Sequence, residues 1–291
     1  MSEGSVTAGV HRAGVDSRAV DRVFYKLNGR LAMFRRSSAD KQHWEERWSK
    51  GNLSHLLEAY SSGKLDEFED IFTRHLPKDL PILEAGCGKG QLVMALSARG
   101  YRVQGLDYAE ATIRRIREAA PRLNVRTGDI YRLDVPEGTY GGYISIGLFE
   151  HDPAGPQAGL KEARRALHPR GVALISVPFL NSRRQRLLKR LATAPGQETP
   201  QGLKFYQYYF SEEEFESHAA SVGLKVIECF PYGVYTGLVR DSAFWGWVER
   251  RGFFAWPVHR RVSRYCANAP GWLRFRAAHM LMFACKRADE S

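Results

Sequence analysis

The fold of this chain is decided by Ile82-Leu83-Glu84-Ala85-Gly86-Cys87-Gly88-Lys89-Gly90. The first four residues suit a buried strand, the rest form a turn with glycine at every second position, and a helix-like segment follows over 91–99. Glycine accepts a positive φ and lets a ligand approach the backbone without meeting a Cβ atom. In open α/β sheets, ligands bind at such a turn, between the carboxyl end of a strand and the start of a helix. The stretch therefore predicts an α/β fold with a ligand bound at this turn.

Short apolar runs alternate with amphipathic segments over the rest of the chain. Further strand candidates are 102–106, 123–127, 143–147, 172–177, 224–230 and 279–285, and helical candidates are 111–119, 160–167 and 211–222. Ser211 and Glu214 have the spacing of a capping box at the start of the last of these helices. Because strands separated by helices pair in parallel through right-handed crossovers, we expect a mostly parallel sheet.

The amino-terminal side has a different pattern. Apolar residues over 20–34 and 41–60 recur at a helical spacing and predict helices packed on the core, whereas the small, polar residues before them predict a disordered tail. We expect five regions: a disordered tail (1–20), an N-terminal helical cap (21–77), a Rossmann-like core (78–237), an aromatic and basic insertion (238–277), and a last strand with a tail (278–291).

Composition limits the class of protein. The formal net charge is +11, which suits an anionic partner such as nucleic acid, a membrane surface or a phosphorylated substrate without choosing among them. The four cysteines are far apart and form no CxxC pair, so they indicate neither a zinc site nor a disulfide framework. No apolar run is long enough to cross a bilayer, and the first residues do not have the pattern of a signal peptide. We therefore expect a cytoplasmic protein.

Three acidic residues stand at successive strand ends. Glu84 precedes the glycines, where a carboxylate repels a pyrophosphate but suits a ligand that carries an ammonium group. Asp107 ends the next strand candidate and can accept hydrogen bonds from both hydroxyls of a ribose. Asp129 follows the third and can accept from an adenine amino group while Ile130 packs on the ring. The pattern favours an adenosine-containing ligand with an ammonium group over a dinucleotide.

At this point the chain resembles the class I S-adenosylmethionine (SAM)-dependent methyltransferases, in the group that contains small-molecule, quinone and sugar methyltransferases. The similar motifs are ILEAGCGKG, GLDYAE, GDI, YISIGLFEH and RRALHPRGVALISVPF, and they lie between about 80 and 230. The resemblance implies an α/β fold with a Rossmann-like, seven-stranded, mostly parallel sheet, helices on both faces, N-terminal helices and a helical insertion before the last strand. It also implies SAM as cofactor, S-adenosylhomocysteine as its product, and no metal.

The resemblance assigns roles to residues of this chain. Those placed beside the methionine part of SAM are Glu84, Gly86, Gly88 and Gly90, with Asp107 beside the ribose, Asp129 and Ile130 beside the adenine, and Leu148 near the sulfonium. Cys87 and Tyr108 are further cofactor-binding candidates in the same motifs. Gly141 and Gly142 replace an acid that is common before the fourth strand in this family. A larger departure is the long connection before the last strand, where we expect the substrate class to be encoded.

Methyl transfer to a hydroxyl is helped by a general base, and His151, at the end of the fourth strand, is the best-placed candidate. In the alternative interpretation, Glu150 and His151 only form hydrogen bonds within the loop. The substrate-pocket candidates are aromatic and are also compatible with ordinary packing: Trp44, Trp48, Tyr206, Tyr208 and Tyr209.

The segment 243–275 combines aromatic residues with arginines. This composition suits peripheral contact with an anionic membrane, at its inner face, or an aromatic cap over a substrate cleft. Stacking aromatics with arginine also bind single-stranded nucleic acid, but no RNA-binding module is recognisable, so we rank nucleic acid last.

The predicted function is methyl transfer from SAM to a hydroxyl or similar nucleophile of a small molecule, glycan or lipid-linked intermediate. One alternative is an RNA or protein methyltransferase, although the Asn-Pro-Pro-Tyr type of motif found in amino-group nucleic-acid methylases is absent. Another is a non-catalytic SAM-binding protein at a membrane, and a nicotinamide-dependent dehydrogenase is the most distant.

Overall fold

A computed structural model describes residues 22–192, 202–251, 261–262, 265–266 and 268–290. The strands, numbered in chain order, are β1 (Val23–Leu27), β2 (Arg30–Arg35), β3 (Ile82–Ala85), β4 (Val103–Asp107), β5 (Val125–Thr127), β6 (Tyr140–Ile146), β7 (Leu167–Pro178), β8 (Lys204–Tyr208), β9 (Leu224–Tyr232) and β10 (Met280–Arg287). The helices are α1 (Lys41–Ser49), α2 (Leu53–Tyr60), α3 (Glu69–His75), α4 (Gln91–Ala98), α5 (Glu110–Ala119), α6 (Gln157–Ala166), α7 (Ser182–Ala192), α8 (Glu212–Ser221), α9 (Val234–Asp241), α10 (Ala243–Arg250) and α11 (Gly271–Ala277). The tail predicted over 1–20 lies outside the described residues.

The main sheet contains seven strands in the order β5-β4-β3-β6-β7-β10-β9. β3 pairs in parallel with β4 and β6, β4 with β5, and β6 with β7, whereas β10 is antiparallel to both of its neighbours. The seven-stranded, mostly parallel sheet predicted from the sequence is confirmed. The order reverses beside β3, so the glycine turn lies at a point where strands on either side leave a crevice for a ligand.

Both faces of this sheet are covered. Two neighbouring residues of β3 pack on opposite faces of the sheet. Ile82 belongs to an apolar cluster with Val93 of α4 and Ile113 of α5, and Leu83 belongs to another with Leu160 of α6. Successive side chains of a strand point to opposite faces, so a strand that is covered on both sides reads as a continuous apolar run. This explains why the core strands were visible in the sequence, and it confirms helices on both faces.

The helix predicted over 20–34 is wrong. The chain forms a hairpin there, in which β1 pairs antiparallel with β2 from Val23↔Phe34 to Leu27↔Arg30. The turn is Asn28-Gly29, with φ values of 51° and 81°, and two left-handed residues are the favoured connection of a tight hairpin. Leu31, Ala32, Met33 and Phe34 are all buried, so β2 lacks the alternation that reveals a strand covered on one face only. The Asn-Gly pair was the signal that indicated a hairpin.

A second sheet, which we call the lid sheet, consists of β1, β2 and β8. β8 contains most of the aromatic segment 205–210, and Ala32 pairs with Tyr208 in its antiparallel register. The lid sheet is joined to the main sheet just beyond β7, since Phe210 N–H donates to the carbonyl of Pro178 at 2.9 Å and Leu180 N–H donates to that of Phe210 at 2.7 Å. It therefore lies at the carboxyl ends of the parallel strands, the edge that carries the glycine turn.

Side-chain caps mark the starts of α1 and α8. Asp40 Oδ1 accepts from His43 N–H at 2.9 Å at the start of α1, and Ser211 Oγ accepts from Glu214 N–H at 3.1 Å at the start of α8, which confirms the predicted cap. The insertion before the last strand is helical where it is described, with α9, α10 and α11. Phe253, Phe254, Trp256, Arg260 and Arg264 of the predicted insertion lie outside the described residues. Within the described ranges, no helix combines the length and the apolar character needed to cross a membrane.

Candidate functional site

The glycine turn has a backbone that only glycine adopts easily. Gly86, Gly88 and Gly90 have φ values of 76°, 50° and 76°, and Gly90 is also the N-cap residue of α4. The N–H groups of Gly86 and Cys87 both donate to the carbonyl of Leu106 in β4, at 2.7 and 3.0 Å. These two hydrogen bonds therefore fix the turn, with its glycines in the left-handed region of φ, against the neighbouring strand.

Asp107 connects this turn to the end of β4. The residue is only 4% exposed; Oδ2 accepts from the N–H of Gly88 at 2.8 Å and Oδ1 from that of Ala109 at 2.9 Å. Burial raises the pKa of the Asp107 carboxyl, and these two hydrogen bonds act in the opposite direction. Because each carboxylate oxygen has two acceptor sites, both can still accept from the hydroxyls of a ligand.

Glu84 lies beneath the turn with an unsatisfied acceptor. It is 5% exposed, and its Oε2 has no hydrogen-bond partner among the described residues. Burial raises the pKa of its carboxyl to about 8. A buried polar atom without a partner is unfavourable, and a nearby positive charge would favour the ionised carboxylate. A ligand with an ammonium group would supply such a charge, and this role of Glu84 stays a prediction.

Two side chains cover the glycine turn. A Cβ atom on Gly88 would lie 3.1 Å from Cζ2 of Trp48, and one on Gly86 would lie 3.0 Å from Cδ2 of Leu148. The structure thus brings Leu148, from the loop after β6, and Trp48, from α1, to the turn. The absence of a Cβ atom at both glycines permits this close approach.

Trp48 belongs to a group of four side chains that we call the aromatic cluster: Trp44, Trp48, His151 and Tyr206. Trp44 stacks on Trp48 with ring centroids 5.5 Å apart, His151 meets Trp44 edge-on at 5.2 Å, and Tyr206 meets His151 at 5.0 Å. The cluster joins α1, the 3₁₀ turn after β6 and β8 of the lid sheet. Three of the predicted pocket aromatics and the predicted base are therefore neighbours, although they are distant in sequence.

The tautomer of His151 follows from its hydrogen bond. Nδ1 lies 2.6 Å from the carbonyl oxygen of Tyr206, so Nδ1 carries the proton and donates, and Nε2 has the free lone pair. Burial lowers the pKa of His151 to about 4, and the positive charge of Arg47 acts in the same direction. At neutral pH the imidazole is uncharged and Nε2 can accept a proton.

Glu150 is the polar residue whose importance the sequence did not reveal. It is 2% exposed, its Oε1 lies 3.7 Å from Nε2 of His151, and its Oε2 has no partner among the described residues. Burial raises the pKa of its carboxyl to about 8. The sequence shows a Glu-His pair but gives no sign that the carboxyl is enclosed, because the side chains around it come from distant parts of the chain.

Tyr208 and Tyr209 have other neighbours. Tyr208 Oη donates to the carbonyl of Pro153 at 3.1 Å, and its ring packs on Phe205 with centroids 4.7 Å apart. The guanidinium of Arg184 lies 4.5 Å from the ring centroid of Tyr209. Both residues support the lid sheet, and their predicted contact with substrate stays a prediction.

The remaining cofactor candidates surround the ends of β4 and β5. Asp129 is exposed and its Oδ1 accepts from Tyr131 N–H at 2.9 Å, while Ile130 beside it is buried. Tyr108 is partly buried, and burial raises its pKa. Cys87 is buried against β4, where its Sγ would lie 2.9 Å from a Cβ atom on Gly105. Cys87 thus packs the turn onto the sheet through its side chain.

Comparison with known proteins agrees with this geometry. A family profile described as "Methyltransferase domain" matches residues 82–171. A "probable S-adenosylmethionine-dependent methyltransferase" of Mycolicibacterium smegmatis is 34% identical over 121 residues, which cover 41% of this chain and 42% of that protein. A protein of Mycobacterium tuberculosis with the same description is 27% identical over 121 residues, covering 41% and 39%. The similarity therefore spans less than half of the length of these relatives.

Two solved structures share the fold. A Haloferax volcanii protein solved in complex with the Trm112 methyltransferase activator superposes with a TM-score of 0.52 at 15% identity, covering 84% of this chain and 97% of that chain. The PH0226 protein of Pyrococcus horikoshii superposes with a TM-score of 0.50 at 17% identity, covering 77% and 89%. At these identities the likeness concerns the fold.

Proposed function

We propose that this chain is a class I SAM-dependent methyltransferase and that it transfers a methyl group from SAM to a hydroxyl or similar nucleophile of a small molecule, glycan or lipid-linked intermediate. The observation that carries the proposal is the site around the glycine turn. Asp107 holds Gly88 by a hydrogen bond and keeps acceptor capacity for hydroxyls, and Glu84 beneath the turn has a buried, unpartnered oxygen.

The residues fit SAM better than a pyrophosphate-containing cofactor. SAM supplies a methyl group activated by its sulfonium, and its amino-acid part carries an ammonium group. Glu84 would become ionised beside that ammonium, whereas beside a pyrophosphate it would stay protonated and form no ion pair. Asp107 would receive the ribose hydroxyls at the end of β4, with Asp129 and Ile130 one strand further along at the adenine.

The chain contributes alignment and a proton acceptor to the reaction. Orientation of the two reactants alone can supply about 7–11 kcal/mol of the barrier reduction. SAM would supply the methyl group and leave as a neutral thioether, and Nε2 of His151 would accept the proton that the acceptor hydroxyl loses. With its pKa lowered to about 4, His151 is too weak a base to prepare an alkoxide beforehand. It can accept the proton once the oxygen has become acidic through alkylation.

Trp48 and Leu148 lie against the glycine turn, so the cofactor must displace them or pack between them. Binding of SAM therefore changes the surroundings of Trp48, which stacks on Trp44. A change in tryptophan fluorescence during titration with S-adenosylhomocysteine is the expected signal, and Trp48→Phe should reduce it.

The proposal is tested by incubating the purified full chain with methyl-labelled SAM and an extract of its own host cells. We expect label in a small organic-soluble or water-soluble product. Label in the organic phase supports a lipid or lipid-linked acceptor, and label in the aqueous phase supports a soluble one. Label confined to RNA or protein would replace the proposed acceptor class, and no incorporation above a heat-inactivated control would contradict methyl transfer.

A further inference from the structure

Exposed aromatic side chains are concentrated in one region of the described chain. Seven large apolar residues are exposed, and five of them belong to the insertion before β10: Phe244, Trp247, Tyr265, Trp272 and Phe275. Trp272 is 64% exposed and Phe275 is 43% exposed, both on α11. Single exposed apolar residues are ordinary, but several within one short segment mark an interaction surface.

A basic cleft opens beside one of these aromatics, Trp272, between α7 and α11. Its volume is about 400 Å³, and three arginines, Arg183, Arg186 and Arg276, line it together with Trp272. Arg186 donates to the carbonyl of Ser182 at 3.2 Å. In the part of the chain that the structure describes, none of the ion pairs joins a carboxylate to these three arginines; the nearby Asp241 pairs with Arg184 instead, at 3.0 Å. The cleft therefore presents positive charge that no carboxylate of the described residues neutralises.

The cleft is built on a rigid support. Arg184 is 3% exposed, and its Nη1 donates to the carbonyls of Phe179 and His279 at 2.6 and 3.0 Å. Asn181 Nδ2 donates to Asp241 at 2.8 Å, which fixes the start of α7 to the end of α9. Leu187 and Leu188 of α7 pack on the lid sheet. The inner side of α7 is thus fixed by these contacts, and its other arginines are directed to the cleft and the surface.

We infer that the cleft and the exposed aromatics of the insertion form a docking surface for an anionic lipid bilayer. Aromatic rings settle at the level of the headgroups, and nearby cations are attracted to anionic headgroups. The combination matches both requirements, with phosphate groups as the complement of the unpaired arginines. α7 starts just after β7, and β7 lies two strands from β3, so the surface and the glycine turn share one edge of the sheet.

The test is co-sedimentation of the full chain with vesicles of phosphatidylcholine alone and with vesicles that also contain phosphatidylglycerol. We expect binding to the anionic vesicles only, and weaker binding as salt is raised. We call the triple variant Arg183→Gln/Arg186→Gln/Arg276→Gln the cleft variant. Each lost cation should weaken vesicle binding roughly fivefold, and the triple change should weaken it about 100-fold. Trp272→Ala should weaken it further without changing the charge.

The matched control is Arg102→Gln/Arg122→Gln/Arg170→Gln, which removes the same charge from exposed positions at the opposite, amino-terminal edge of the sheet. This control should keep most of the binding, and unchanged thermal unfolding should show that both triple variants are folded. Binding of S-adenosylhomocysteine is measured on the same samples. The cleft variant should still bind this ligand, so the measurement separates this inference from the proposed function.

Three results would overturn the inference. They are equal binding to neutral and anionic vesicles, equal loss of binding in both triple variants, and a wild type that binds no vesicles although inorganic phosphate raises its melting temperature. Tighter binding of a single-stranded oligonucleotide than of anionic vesicles, abolished by the cleft variant, would also overturn it and assign the surface to nucleic acid.

Discussion

The glycine turn and the basic cleft share an edge of the same sheet but differ in how their charges are treated. At the turn, Glu84 and Asp107 are almost completely buried, so their carboxyl oxygens need hydrogen bonds from backbone N–H groups or from a bound ligand. At the cleft, Arg183 and Arg276 line an open space beside exposed aromatics. Burial suits the first region to a ligand that supplies matching charge and hydrogen bonds, whereas exposure suits the second to a broad, salt-sensitive surface.

This comparison implies that changes in one region should leave the other unaffected. The largest catalytic effect is expected for His151→Ala, which removes the proton acceptor Nε2. Turnover should fall about 100-fold, while affinity for S-adenosylhomocysteine and for anionic vesicles stays within twofold of the wild type, as rough bounds. Steady-state kinetics and calorimetric titration measure these quantities.

The control for this change is His55→Ala, at an exposed position of α2. It should leave turnover intact. Retention of most activity by His151→Ala would reject the proton-acceptor role and favour the alternative in which His151 only holds the loop through Tyr206.

A smaller effect is expected for Glu84→Gln. Because burial raises the pKa of Glu84 to about 8, this carboxyl is mostly protonated in the free protein at neutral pH. A bound ammonium favours the carboxylate, so binding releases a proton and strengthens as pH rises towards 8. Glu84→Gln should weaken binding about tenfold and remove the proton release.

Calorimetric titration in buffers of different ionisation enthalpy detects that proton. Asp134→Asn, at an exposed position after β5, is the matched control. Proton release that persists in Glu84→Gln would assign the titrating group elsewhere.

The last prediction concerns stability. Burial raises the pKa of Glu150 to about 8 from an ordinary value near 4.5, so the folded state holds this proton longer than the unfolded chain. The contribution of Glu150 to the free energy of unfolding is therefore highest below pH 4.5, and it falls as pH rises to 8. His151 acts in the opposite sense only between its lowered pKa of about 4 and 6.5.

Between pH 6.5 and 8 the raised pKa of Glu150 lowers the free energy of unfolding and His151 no longer opposes it, so the wild type should lose stability there. Glu150→Gln should reduce the slope by up to about 1.4 kcal/mol per pH unit, the limit for one group. Urea unfolding at several pH values measures it, and an unchanged slope would show that Glu150 is not buried as a neutral acid.

The same comparison explains what the sequence could predict. The glycine turn and the acids at 84 and 107 were predictable because their geometry is local: a strand end, a turn that needs positive φ, and a helix start. The strands of the main sheet were visible since they are covered on both faces. The cap at Ser211 was predictable for the same local reason.

The lid sheet was not predictable in this way. It forms by pairing of Ala32 with Tyr208, which are distant in the sequence, and β2 is buried without alternation. The apolar spacing over 20–34 therefore fits a helix, and the Asn28-Gly29 turn is the only local sign of the hairpin there. The orphaned carboxyl of Glu150 was hidden for a related reason, because its burial depends on parts of the chain that meet only in the folded protein.

The most direct test of the central claim is calorimetric titration of the full chain with S-adenosylhomocysteine and, separately, with NAD, in the wild type and in Asp107→Ala. We predict one S-adenosylhomocysteine bound per chain and no comparable binding of NAD. Loss of two charge-assisted hydrogen bonds, each roughly 1.5–3 kcal/mol, should weaken binding to Asp107→Ala about 1000-fold. Preferential binding of NAD, or equal binding of S-adenosylhomocysteine by both proteins, would contradict the assignment of the glycine turn and Asp107 as the SAM site.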